Sequence, residues 1–199
     1  LPHKFQALHR QHYLQYYCMQ KSPNQKKQLK YIREHLNLEE ETISLLIKYV
    51  DLILDSQKKI NLISKNTLIS IWDRHILDSA QIFQFIRKKN HNEKVLDIGS
   101  GAGFPGIVLA IMGIKNVLLC EKSPKKSVFL KKTLERLDLK TSIYNGRIEN
   151  LSVKDTSYIV ARAFKPLTAL LEVAFHLINK NTILILHKGK KFQEEIYSA

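Results

Sequence analysis

The apolar positions change period along the chain. From Asn37 onward, Ile43, Leu46, Ile47, Val50, Ile53 and Leu54 recur at three- and four-residue intervals, which places them on one face of a helix. Asn37 and Glu40 have capping-box spacing, acids crowd the first turn, and Lys58 and Lys59 stand near the far end. Thr67 to His75 reads as a short helix, and Ser79 or Asp78 is placed to cap another that runs to about Lys89. At Lys94 the grammar changes. Short apolar runs at 95–98, 117–120, 158–161 and 182–187, with a weaker one at 141–144, alternate with helical stretches near 105–113, 125–138 and 166–178. Nearly continuous apolar strands alternating with helices predict an α/β fold with a mainly parallel sheet covered on both faces. Residues 37–92 then form a helical N-terminal cap and 93–199 an α/β core, cap and core making one domain.

Residues 1–36 fit neither pattern. Lys and Arg far outnumber acids there, Glu34 being the one carboxylate, and the apolar residues keep no steady helical interval. This stretch reads as a basic arm, either an unstructured tail or a mobile, weakly helical segment able to touch RNA. Charge extends the same theme: the 199 residues carry a formal net charge of +14, which points to a polyanionic partner. Cys18 and Cys120, the two cysteines, are too far apart for a CxxC metal or redox pattern. No metal site and no disulfide framework is implied, no apolar run approaches a membrane span, and a reducing cytoplasm is the expected location.

The stretch Val95-Leu96-Asp97-Ile98-Gly99-Ser100-Gly101-Ala102-Gly103-Phe104-Pro105-Gly106 carries the most chemistry. An apolar strand runs into spaced glycines at the start of a helix, where the backbone can turn sharply and approach a ligand. Gly101 to Gly106 formally satisfies the dinucleotide fingerprint, with Glu121 following 20 residues after Gly101. Asp97, two residues before the first glycine, argues otherwise. A carboxylate there repels a pyrophosphate and suits a cationic ligand such as S-adenosylmethionine, which has a sulfonium and an ammonium group. Acid, GxGxG and a second acid at the end of the next strand resemble the class I methyltransferases, in which the second acid binds the ribose hydroxyls.

The fourth strand ends Tyr158-Ile159-Val160-Ala161-Arg162-Ala163-Phe164. It lacks the Asp/Asn-Pro-Pro-aromatic tetrapeptide that binds an exocyclic amine, and it lacks a Pro-Cys nucleophile; Cys120 reads as a core residue. A target with an exposed lone pair needs neither device. Guanine N7 is such a target, so the pattern favours catalysis by proximity and alignment.

From about Ile43 to Lys191 the chain resembles the bacterial 16S ribosomal-RNA guanine-N7 methyltransferases, once called glucose-inhibited division protein B. The resemblance rests on Asn61-Leu62, Arg74 to Ser79, the loop Leu96 to Gly106, Gly146-Arg147-Ile148-Glu149, Ala161-Arg162-Ala163 and Lys188-Gly189. It implies a Rossmann-like fold and S-adenosyl-L-methionine as cofactor, held at Asp97, Gly99, Gly101, Phe104, Glu121, Ile148, Glu149 and Arg162. It implies Arg162 near the reaction centre, the His75–Ser79 element over the cofactor pocket, and one guanine in the 530 loop of small-subunit rRNA as substrate. Arg74, His75, Lys125, Lys126, Lys132 and Lys188 are the candidate RNA contacts.

Plainer roles stand beside these. His75 can pack a helix junction, Asp78 and Ser79 can be caps, Arg162 can make a structural salt bridge, Glu149 can be a turn residue, and the lysines can form a solvated helix face. The family pattern also closes its sheet with a sixth and seventh strand, whereas this sequence stops soon after the fifth; those strands are expected to be missing. The alternatives are a small-molecule methyltransferase, and a truncated RNA- or cofactor-binding protein without activity.

Overall fold

Strand β1 (Lys94–Ile98) is the centre of the molecule, and its last four residues are buried. The computed structural model describes residues 23–86, 93–162, 164–189 and 192–197. Among these, β1, β2 (Asn116–Glu121), β3 (Ser142–Asn145), β4 (Tyr158–Arg162) and β5 (Ile183–His187) form one sheet in the order β3-β2-β1-β4-β5. Every pairing is parallel, as the near-continuous apolar runs predict. The order reverses between β1 and β4, and a crevice beyond the carboxyl ends of strands at such a point is where open α/β sheets bind ligands.

Helices cover both faces. On one side lie α6 (Gly106–Ile111) and α7 (Pro124–Leu137); on the other lie α8 (Leu167–Ala174) and the 3-10 turns Ile148–Asn150 and Phe175–Leu177. Pleating sends Val95 to the first side and Leu96 and Ile98 to the second.

The segment before the sheet packs onto the α6 side. It comprises α1 (Pro23–Leu36), α2 (Glu40–Gln57), α3 (Lys65–Leu68), a π-helical turn (Trp72–Leu77), α4 (Asp78–Ala80) and α5 (Phe83–Ile86). Ile43, Leu46, Ile47, Val50 and Ile53 of the predicted stripe are all buried against the sheet's own core residues. A last helix, α9 (Phe192–Tyr197), follows β5. None of the described helices is long and apolar enough to cross a membrane.

Of the two alternatives for the basic arm, Pro23–Leu36 takes the helical one and buries Leu29 and Ile32 in the core, while residues 1–22 lie outside the described residues. Two local expectations are corrected. Asn37 does not open a capping box. It has φ +45°, the left-handed conformation that ends α1, and Glu39 is the N-cap of α2. Neither Asp78 nor Ser79 is the N-cap of the helix that follows, because the π-helical turn runs straight into α4 and the Ser79 hydroxyl is buried without a partner.

Candidate active site

Asp97 is fully buried beneath the glycine loop. Its Oδ2 accepts the Gly106 amide at 3.0 Å, and its Oδ1 has no donor. A buried charge with one free oxygen is costly, so desolvation pushes its pKa up to about 7, against the pull of the Gly106 amide, Ser100 and the Arg162 guanidinium. Gly106 permits this approach. A Cβ there would overlap the Leu119 side chain and stand 2.7 Å from Asp97 Oδ2.

The loop is latched to β2. Gly99 and Ser100 amides donate to the Cys120 carbonyl at 2.9 and 3.1 Å, and the Gly101 amide donates to Glu121 Oε2 at 2.8 Å. Glu121 Oε1 accepts the Ser123 amide at 2.7 Å. These are the donors that a pyrophosphate needs, and they are taken; the helix-start amide of Gly106 faces a carboxylate. The geometry therefore removes the dinucleotide reading that glycine spacing alone leaves open.

Two hollows meet at Gly99, Gly101 and Lys126. The smaller, about 260 Å³, is lined by Glu121, Ile148 and Glu149 together with Cys120, Arg147 and Phe164. The larger, about 690 Å³, is lined by Phe104, Arg74, His75, Arg162 and Lys188, with Thr67 and His187 beside them. The structure thus brings together all the sequence-derived candidates except three. Asp97 lines neither hollow, and Lys125 and Lys132 lie on the exposed face of α7. Cys120 is buried in the core and its thiol is pushed up to about 12, chiefly by desolvation.

Arg162 ends β4 and reaches across to the cap. Its Nη1 donates to the Arg74 carbonyl at 2.7 Å, and its Nη2 donates to His75 Nδ1. The guanidinium also lies 5.0 Å from the centroid of the Phe104 ring, a cation–π contact. Desolvation, then Arg162 and Arg74, lower the His75 pKa to about 3, so the imidazole is neutral. His75 Nε2 faces Thr67 Oγ1 at 2.8 Å. Lys188 is engaged elsewhere, its ammonium meeting the Lys165 carbonyl at 2.8 Å and Glu195 at 2.7 Å.

Several residues that line or support the hollows carry no sequence signal. Thr67 looks like an ordinary polar helix residue. Tyr49 sits within the apolar stripe of α2, yet its hydroxyl donates to the Ala102 carbonyl at 2.8 Å and its ring packs on Phe104. Asn145 donates to the Glu121 carbonyl at 2.9 Å, and only the register of β2 with β3 places it there.

Residues 42–199 match the family model of rRNA small subunit methyltransferase G. The chain belongs to this family. Ribosomal RNA small subunit methyltransferase G of Orientia tsutsugamushi (strain Boryong) is 40% identical over 171 residues, covering 85% of this chain and 83% of that protein. Its namesake from Rickettsia prowazekii (strain Madrid E) is 40% identical over 164 residues, covering 82% and 84%. Among solved structures, a point variant of MtNAS in complex with S-adenosylmethionine aligns with a TM-score of 0.51 at 16% identity, over 79% of this chain and 66% of that one; the likeness is one of fold. The segment shared with the methyltransferase G family begins in α2 and takes in every lining residue named above.

Proposed function

We propose that this chain transfers a methyl group from S-adenosylmethionine to N7 of one guanine in the 530 loop of 16S rRNA, acting on the small ribosomal subunit in the cytoplasm. The carrying observation is the polar arrangement at the mouth of the larger hollow. Arg162 is a fixed cation, and His75 is neutral with both ring nitrogens engaged. Neither is set to take a proton from an acceptor. That suits a nitrogen whose lone pair attacks directly, with the protein supplying alignment and exclusion of water.

The residues present fit the cofactor. Glu121, Ile148 and Glu149 line a hollow of a size for its adenosine end, while Gly99, Gly101 and Phe104 line the passage toward Arg162. The orphaned Oδ1 of Asp97 is the feature that favours a cationic amino acid group, and because Asp97 lies behind the loop its carboxylate acts across the backbone. Bound there, the cofactor supplies a methyl group on an electrophilic sulfonium. Arg74, Lys125, Lys126 and Lys132 then offer cationic contacts to phosphates, and Lys188 joins them only by leaving Glu195.

The test is methyl transfer from labelled cofactor to small subunits that lack the modification, with the product mapped by reduction and chain cleavage. One cationic 7-methylguanine in the 530 loop is expected. Label on an exocyclic amine, on a ribose oxygen or on small molecules alone would defeat the assignment.

A further inference from the structure

We infer that Thr67 is a positioning residue for Arg162, acting through His75, and that the π-helical turn Trp72–Leu77 serves to set His75 between them. The inference rests on the reading of Arg162 as the group at the reaction centre.

The hydrogen bonds have a forced direction. A guanidinium only donates, so His75 Nδ1 must accept from Arg162 Nη2. The single ring proton is therefore on Nε2, and it donates to Thr67 Oγ1. The Thr67 end is compatible with this: its hydroxyl lies 3.0 Å from both the carbonyl and the hydroxyl of Ser64, so its own proton has a partner there while a lone pair accepts from His75. Each link fixes the next: Ser64 carbonyl, Thr67 hydroxyl, His75 ring, Arg162 guanidinium.

The chain is more than packing. His75 is buried, and its ring lies 5.0 Å from the Phe104 ring, over which Arg162 also sits. Moving the ring proton to Nδ1 would set Nδ1–H against a guanidinium N–H and leave Nε2 as a bare acceptor facing Thr67. The Thr67 acceptor favours the Nε2–H tautomer, so a hydroxyl on the cap selects the state in which Arg162 is held. The π-helical turn matters because its extra residue per turn changes which side chains fall on one face; His75 and the Arg74 carbonyl both meet Arg162 from adjacent positions. Thr67 makes its hydrogen bonds to Ser64 and His75, not to Arg162.

The test uses Thr67→Val, which keeps the shape and removes the acceptor, with Thr67→Ser as the conservative rescue. Three readouts apply to the whole chain: the His75 tautomer from long-range proton–nitrogen NMR, hydrogen exchange of the Arg162 guanidinium, and single-turnover methyl transfer beside calorimetry with S-adenosylhomocysteine. In the parent, His75 gives a pure Nε2–H pattern. Thr67→Val is expected to mix the tautomers, speed Arg162 exchange and lower the transfer rate about tenfold, with product-cofactor affinity changed by no more than about threefold. Thr67→Ser should restore all three. Gln57→Ala, which breaks the contacts of that side chain with Leu62 and Ile63 and so loosens the cap, should lower stability and leave tautomer and Arg162 exchange unchanged. The inference is overturned if Thr67→Val keeps a single tautomer and the parent's Arg162 exchange, or if Gln57→Ala reproduces its effects. If the parent transfers no methyl to rRNA, the functional reading falls, while the two spectroscopic readouts still decide whether Thr67 holds Arg162.

Discussion

Asp97 Oδ2 stands 3.0 Å from the Gly106 amide, while the other oxygen of the same carboxylate is buried with no donor. With its pKa raised from the ordinary value to about 7, Asp97 keeps a proton in the folded chain over a range where the unfolded chain has lost it. Its contribution to stability is fully present below about pH 4 and is lost as pH rises through 7. Asp97→Asn does not titrate, so its stability relative to the parent should climb between pH 5 and 8 by on the order of a few kcal/mol. Urea unfolding at three pH values checks this. A pH-independent difference would show that Asp97 ionises in the fold as freely as in water.

Glu121 joins the glycine loop to the turn before α7, since one carboxylate accepts the amides of both Gly101 and Ser123. Glu121→Ala should weaken S-adenosylmethionine binding by roughly 1–3 kcal/mol, and Asp97→Ala by a similar amount, because each leaves polar groups of the site without a partner. Calorimetry measures both. Unchanged affinity in the two variants, or NAD binding more tightly than S-adenosylhomocysteine, would count against the cofactor assignment.

The exposed face of α7 carries Lys125 and Lys132, with Lys126 at the rim of both hollows. Neutralising all three should reduce the slope of log RNA affinity against log salt by roughly 2–3 units, close to one per lost phosphate contact. Cofactor affinity should hold except for the share that Lys126 contributes. A slope equal to the parent's would make this face solvated surface.

His75 is held neutral far below neutral pH and the Arg162 guanidinium only donates, so neither of the two groups at the mouth acts as a base between pH 6.5 and 8.5. The single-turnover rate with cofactor and RNA saturating should be nearly flat across that range, there being no general base to titrate. The second-order rate constant for the cofactor should instead fall below about pH 7, where Asp97 in the free protein takes up its proton. Stopped single-turnover assays separate the two profiles. A saturated rate that rises tenfold per pH unit would refute the N7 assignment.

The strands could be read from sequence because β1 and β4 are central and covered on both faces, which demands apolar side chains at successive positions. β3 is an edge strand with exposed ends, and its run is correspondingly weaker. The cap was harder. α1 is held by a few apolar side chains among lysines and glutamines, Leu29, Ile32 and Leu36, too few to announce a period. Missing α1 in turn misassigned Asn37, since an asparagine suits a helix start and a left-handed helix end alike, and only the preceding helix tells which. The π-helical turn has no signature in residue types, so Thr67, His75 and Arg162 could each be noticed or passed over singly but not joined. The Asp97–Gly106 contact was half legible: the acid and the glycine are plain in the sequence, but their meeting depends on the pleat that turns Asp97 toward α6.

The Tyr49 hydroxyl on the Ala102 carbonyl, with the Tyr49 ring against Phe104, has a consequence for dissection. The glycine loop rests on a residue of α2 that precedes the first strand by more than forty positions, and His75 and Arg74 clamp Arg162 from the same side. A fragment beginning at residue 93 would keep the sheet yet lose the loop's support and one wall of the larger hollow. Such a fragment is expected to bind the cofactor more weakly than the whole chain, and grafting this cap onto another Rossmann-like sheet would carry over one wall of the larger hollow rather than a lid.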